Sequence, residues 1–218
     1  LSQDFQDWEL LISDNASTDG TSEYLRTLTD PRIHVVIHEK NGGVYKNIRF
    51  LFSNAKAPIS VGLCADDYLY PGGLRTVLQE WEKTSPDVAY IAFNWKNRMN
   101  QSRLARYSYE ALPKMLNPSN SRLAFFLFGN IPGNLSEVSM RVGVIKAADD
   151  FVEYMRYAGD FEFWSRVAKT NSVILSDANT VFIRRHDRVA STYMLKNGAA
   201  FTERLEVYEK LIDELSPN

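Results

Sequence analysis

Four acids and one basic cluster hold the residue types best able to do chemistry. Asp14 closes the apolar run Trp8-Glu-Leu-Leu-Ile-Ser13 and leads into Ser17-Thr-Asp-Gly-Thr21. A carboxylate at the carboxyl end of a strand, beside a helix N-terminus, can accept hydrogen bonds from a base or a ribose. The same acid can equally serve the turn itself. Asp66 and Asp67 follow a second apolar run, Ile59-Ser-Val-Gly-Leu-Cys64. Adjacent carboxylates repel unless something compensates. Mg²⁺ or Mn²⁺ is typically held by one or two such groups plus substrate phosphates. A bare Asp-Asp pair is common, and this one also suits the start of a helix near Gly72. Asp160 follows Gly159 at a helix start, where the helix dipole favours an acid. A carboxylate there can also act as a general base on an attacking hydroxyl. Arg184-Arg185-His186-Asp187-Arg188 is either a solvated surface or a phosphate-neutralising cluster with a metal contact through His186.

Other chemistries find no support. There is no Gly-x-x-x-x-Gly-Lys-Ser/Thr, no Gly-x-Gly-x-x-Gly, no Gly-x-Ser-x-Gly and no Cys-x-x-Cys. The single Cys64 has no internal partner for a disulfide, which suits a reducing, cytoplasmic setting. A net charge of -2 argues against a nucleic-acid partner. The longest apolar stretch, Leu123–Phe128, is far too short to span a membrane, and no signal peptide opens the chain.

These acids need elements to hold them. With 218 residues, 44% hydrophobic and 24% charged, the chain reads as an ordinary globular protein of one unit. Its first half alternates strand and helix signals. Strands are expected at Trp8–Ser13, Ile33–Ile37, Ile59–Cys64 and Val88–Phe93. Helices are expected around Tyr24–Leu28, Val44–Phe52 and Leu74–Trp81. Such alternation implies an α/β fold with a largely parallel sheet and ligands outside its strand carboxyl ends. From residue 95 the pattern changes. A short helix is expected around Tyr109–Leu116, a buried helix over 121–128, a turn cluster at Gly129–Gly133 and a strand at Glu137–Arg141. A helix opening at Gly159-Asp160 and a strand over Thr180–Arg184 follow. Phe201, Leu205, Tyr208, Ile212 and Leu215 mark the apolar face of a closing helix, which would pack on the core or on a partner in a homodimer.

Together these segments resemble the inverting nucleotide-sugar glycosyltransferases of family 2, which have the GT-A fold. Gln3-Asp-Phe-Gln-Asp-Trp-Glu-Leu-Leu-Ile-Ser-Asp-Asn-Ala-Ser-Thr-Asp-Gly-Thr21 is similar to the family's opening segment, the most specific of its landmarks. Asn41-Gly-Gly-Val44 resembles its N-x-G turn. Leu63-Cys-Ala-Asp-Asp-Tyr68, with Pro71 and Leu74, resembles L-D-x-D-D. Gly159-Asp160 with Phe163-Trp164 is similar to E-D-x-x-x-W, and Arg185-His186 to a C-terminal R-x-H. Cys64 stands where that pattern has its first acid, and Gly159 where it has Glu.

The resemblance implies a single GT-A domain: a Rossmann-like nucleotide-sugar half over 1–94 with a mainly parallel sheet, and a mixed acceptor half over 95–218. It implies that Asp14, Asn41, Asp66 and Arg185 bind the donor. Asp66, Asp67 and His186 would hold Mn²⁺ or Mg²⁺, and Asp160 would be the base. The implied reaction moves a sugar from a nucleoside diphosphate to a saccharide or lipid-linked acceptor, in bacterial cell-surface polysaccharide synthesis. That would take place in the cytoplasm, with peripheral association at the inner membrane face. Tyr107, Tyr109, Tyr154 and Tyr157 would stack on sugar rings. The family opens with a further strand, loop and helix upstream of Leu1, so unpaired strand edges are expected here. An inactive glycosyltransferase-like binding or assembly module is the alternative. An unrelated nucleotidyltransferase would need an early Gly/Lys-rich phosphate loop, which is absent.

Overall fold

The computed structural model describes residues 1–95, 112–149, 151–184 and 198–215. In order, the elements are β1 (Leu10–Asp14), α1 (Thr21–Leu25), β2 (Ile33–Ile37), α2 (Val44–Asn54), β3 (Ile59–Val61), β4 (Tyr68–Leu69) and α3 (Gly73–Glu82). Then come β5 (Val88–Ala92), β6 (Met115–Leu116), α4 (Ser121–Phe128), β7 (Val138–Arg141) and α5 (Val142–Ala147). The chain continues with α6 (Gly159–Val167), β8 (Ser172–Leu175), β9 (Val181–Phe182) and α7 (Ala199–Leu215).

The α/β architecture is as expected, but the largely parallel sheet is corrected: three of the four pairings in the central sheet are antiparallel. Among the described residues parallel pairing is confined to β1 with β2 and β5 with β8. The central sheet runs β3-β7-β5-β8-β6, and its other pairings, β3 with β7, β7 with β5 and β8 with β6, are antiparallel. β4 and β9 form a separate antiparallel pair. Among the described residues β1 and β3 each have one strand neighbour, so each leaves an edge without a strand partner. Their starts are tied by Glu9, whose carboxylate accepts the amides of Lys56 (2.7 Å) and Ala57 (3.2 Å).

β5 lies at the centre because it is apolar on both faces, and all five of its residues are buried. Ile91 and Phe93 pack with Val77 and Trp81 of α3 on one face. Tyr90 and Ala92 face a larger core with Phe125, Phe161, Phe163 and Trp164. That core also takes Tyr45 and Phe52 of α2, so both halves of the chain share it. No helix of the described residues is long and apolar enough to cross a membrane.

Three local expectations are corrected. The helix expected around Tyr109–Leu116 ends instead in β6, where Leu116 is fully buried against β8. Tyr109 itself lies outside the described residues. On α7 the buried face is Ala200, Val207 and Leu211, while Phe201, Leu205, Ile212 and Leu215 are exposed. The strand expected over Thr180–Arg184 is shorter, Val181–Phe182.

Candidate active site

The candidate acids sit in loops that follow strands, and hydrogen bonds link those loops one to the next. Asp14 ends β1 with only 5% of its surface exposed. Its carboxylate accepts the hydroxyls of Ser17 and Ser22, the latter at 2.5 Å. Those hydroxyl bonds, Ser17 first, hold its pKa below the ordinary carboxylate value. Ala16, two residues on, is held in the left-handed region at φ 63°. That strain is stored beside the site.

The next residue, Asn15, reaches the loop that follows β2. Its side chain donates to Asn41 Oδ1 (3.0 Å) and to the Gly43 carbonyl (3.2 Å), and accepts the Gly42 amide (2.9 Å). Asn41 in turn accepts the Gly43 amide at 2.9 Å. Gly43 has φ 89°, which a side chain would resist, and it launches α2. Below this turn Ser13 bonds Asn47 and lies 2.8 Å from His38 Nε2. His38 is thereby structural, while His34 is an exposed residue of β2.

From α2 the linkage passes to Asp160. Tyr45 accepts the Asp160 amide at 3.1 Å. Asp160 is the second residue of α6 and half-buried. Its Oδ2 accepts from Asn130 Nδ2 (3.0 Å), and its Oδ1 accepts the Phe161 amide (2.8 Å). Asn130 belongs to the Gly129–Gly133 turn cluster, which the sequence marks only as a bend. The same loop runs on to Asn134 and Ser136. The Ser136 hydroxyl accepts the Cys64 amide at 2.8 Å. The two asparagines were missed as site residues; their one signal is polarity inside a Gly/Pro cluster.

The linkage ends at Asp66 and Asp67. The Asp67 amide closes a turn on the Cys64 carbonyl at 3.0 Å. Asp67 Oδ1 accepts the Arg184 amide at 2.9 Å, which brings the β9 segment against the acid pair. Asp67 Oδ2 is buried and has no hydrogen-bond partner among the described residues. Burying a bare carboxylate oxygen is costly unless a cation or donor meets it. Burial pushes the Cys64 thiol above its usual value, so it stays protonated and is a poor ligand. Among the described residues no three His, Cys, Asp or Glu side chains cluster tightly enough to hold a metal alone. Two carboxylates that share a cation with substrate phosphates do not need a third protein ligand.

Arg185 and His186 lie outside the described residues, as do Tyr107 and Tyr109. Tyr154 is exposed and its hydroxyl bonds Glu206, while Tyr157 offers its carbonyl to Tyr45. Thus the structure links Asp14, Asn41, Asp160 and Asp67 through one chain of loop contacts. A cavity of about 270 Å³ lined by Arg49, Phe52, Lys146, Phe151 and Phe163 contains none of these acids.

Comparison with known proteins gives a family and a fold. The model of the family described as Glycosyl transferase family 2 matches residues 1–147. No curated protein matches the chain. Among solved structures, S. aureus TarS 1-349 in complex with UDP-GlcNAc superposes with a TM-score of 0.63 at 16% identity, over 97% of this chain and 65% of that one. The mannosyltransferase PcManGT from Pyrobaculum calidifontis, in complex with GDP-Man and Mn²⁺, gives a TM-score of 0.66 at 17% identity, over 94% of this chain and 56% of that one. At such identities the likeness is one of fold. The chain spans less than two thirds of the length of these structures.

Proposed function

The chain belongs to glycosyl transferase family 2, and we propose that it transfers a sugar from a nucleoside diphosphate to an acceptor hydroxyl, with inversion and with a divalent cation. One observation carries this reading. Asp160 is joined by hydrogen bonds to the Asn41–Gly43 turn through Tyr45 and to the 129–136 loop through Asn130, and that loop holds the Asp66–Asp67 turn. These bonds connect the loop of the proposed base to the proposed nucleotide turn and to the loop beside the proposed cation site, which supports the reading. The ligands of the two fold neighbours, UDP-GlcNAc and GDP-Man with Mn²⁺, are of the same chemical class.

In the proposed reaction Asp160 takes the proton from the acceptor hydroxyl as it attacks the anomeric carbon. Asn130 and the Phe161 amide each bond one carboxylate oxygen and so set the direction in which the acid faces. Asp14 and Asn41 position the base and ribose of the donor, and Arg185 and His186 assist at the diphosphate. Asp66 and Asp67 are the residues that would hold Mn²⁺ or Mg²⁺, and the orphaned Asp67 Oδ2 suits a hard cation. Such an ion, when bound, offsets charge on the departing diphosphate. Residues 1–94 serve the donor and 95–218 the acceptor, as halves of one unit, which their shared core supports. The acceptor is a saccharide or lipid-linked saccharide of cell-surface assembly.

One observation favours a second reading, an inactive binding module. At Cys64 a neutral thiol stands where the family pattern carries an acid. Calorimetric titration with UDP, GDP and dTDP, with and without Mn²⁺, tests the main proposal. Metal-dependent binding of one nucleotide, lost in Asp66→Ala, supports it. Binding that ignores both the metal and that substitution rejects the cation site. Nucleotide binding without turnover favours the second reading.

A further inference from the structure

We propose that Tyr45 is a positioning residue for Asp160, tying the Asn41–Gly43 turn to the start of α6. The inference rests on the reading of Asp160 as the base. Tyr45 occupies the first turn of α2, directly behind that turn, and is only 7% exposed. Its hydroxyl donates to the Tyr157 carbonyl at 3.2 Å and accepts the Asp160 amide at 3.1 Å. That amide is among the first N–H groups of α6, which have no acceptor within their own helix. A phenol from a different element supplies one.

The ring reaches this position because residue 159 has no side chain. A Cβ at Gly159 would sit 2.7 Å from Tyr45 Cε2 and 2.8 Å from Cζ. The phenol and any side chain at 159 therefore compete for the same volume. This gives a physical reason for Gly159 where the family pattern carries Glu: a Glu there would evict the ring and free the Asp160 amide. Phe151 stacks along the ring at 5.6 Å with planes 15° apart, which fixes its tilt. Burial, and then the charge of Asp160, push the phenol pKa upward, so the hydroxyl keeps the proton that it donates to Tyr157. Glu203 of α7 secures the same segment from another side. Its carboxylate accepts the amides of Arg156 (2.8 Å), Tyr157 (2.7 Å) and Ala158 (2.8 Å). Asp160 is thus set at its backbone by Tyr45 and at its carboxylate by Asn130.

Tyr45→Phe keeps the ring against Gly159 and removes only the hydroxyl. With UDP-GlcNAc and GDP-mannose as donor probes in Mn²⁺, release of UDP or GDP gives kcat and the donor KM. Loss of one aimed hydrogen bond should lower kcat about tenfold and leave KM within about twofold. If Asp160→Asn stops release while Tyr45→Phe leaves kcat unchanged, the positioning role is overturned and the base assignment stands. If Asp160→Asn leaves release unchanged, the base assignment itself falls. Hydrogen exchange of the Asp160 amide decides the contact without any turnover. It should quicken about tenfold in Tyr45→Phe while β5 amides keep their protection. Unchanged protection at Asp160 overturns the inference.

Discussion

Replacing one oxygen of Asp160 by nitrogen, as Asp160→Asn, preserves shape and removes the group able to take a proton. Sugar transfer should be abolished while calorimetric affinity for the cognate nucleoside diphosphate stays within about twofold. A near-normal transfer rate would sink the base assignment. Gly159→Ala drives a methyl into the Tyr45 ring, with 2.7 Å between carbons. Overpacking of this kind costs about 1–3 kcal/mol, and thermal melting should register it. Asp14 makes a pH prediction. Its folded pKa lies below the unfolded value near 3.8, because Ser17 and Ser22 donate to the ionised form. The stability it contributes is therefore full above that value and is lost as the pH falls through the folded pKa. The stability gap between wild type and Asp14→Asn should be flat from neutral pH to about pH 4 and narrow below it. A gap that widens on acidification would contradict the bonding described. All four candidate acids were visible in the sequence as acids after apolar runs or at a helix start. The distant contacts that tie their loops together were not. Tyr45, Asn130 and Ser136 lie 115, 30 and 72 residues from the groups they bond, and no local pattern encodes such pairings.

Among elements, the last helix separates spacing from burial. The spacing of Phe201, Leu205, Tyr208, Ile212 and Leu215 defines an apolar stripe, of which Tyr208 packs against the core, yet Phe201 is 70% exposed and Leu211, off the stripe, only 2%. Three small or aliphatic residues, Ala200, Val207 and Leu211, meet the core instead. The stripe is offset from them around the helix, so the period was legible and the phase was not. Leu211→Ala should cost about 2–5 kcal/mol in chemical denaturation. Leu205→Ser should cost no more than about 0.5 kcal/mol, as exposed positions do. The reverse ranking would put the stripe in the core. β6 shows the opposite difficulty. At two residues it is too short to have a period, and its pairing with β8 overrides the local sequence. By contrast β5 was readable, because a run of buried apolar residues between two turn signals can only lie deep in a sheet.

Across the whole molecule, rigidity should be uneven. Among the described residues the β1–β2 ribbon has two strands, and such ribbons are marginal without further support. β5 sits between two neighbours and under helices on both faces. Amide exchange should be much faster in Leu10–Asp14 than in Val88–Ala92, and equal protection would show that the ribbon is as firmly held as the centre. The antiparallel return of β7 between β3 and β5 was beyond any local reading. It joins residues about 50–80 positions apart, a cost in loop closure that only tertiary contacts repay. The Glu203 clamp carries a last implication, for timing. Synthesis is vectorial, and domains take shape as their parts emerge. The three amides ahead of Asp160 must wait for a carboxylate translated some 45 residues later. A ribosome-stalled chain ending before residue 203 should be cut by protease around Arg156–Ala158. Protection should arrive once Glu203 has cleared the exit tunnel and α7 can close on the segment ahead of Asp160.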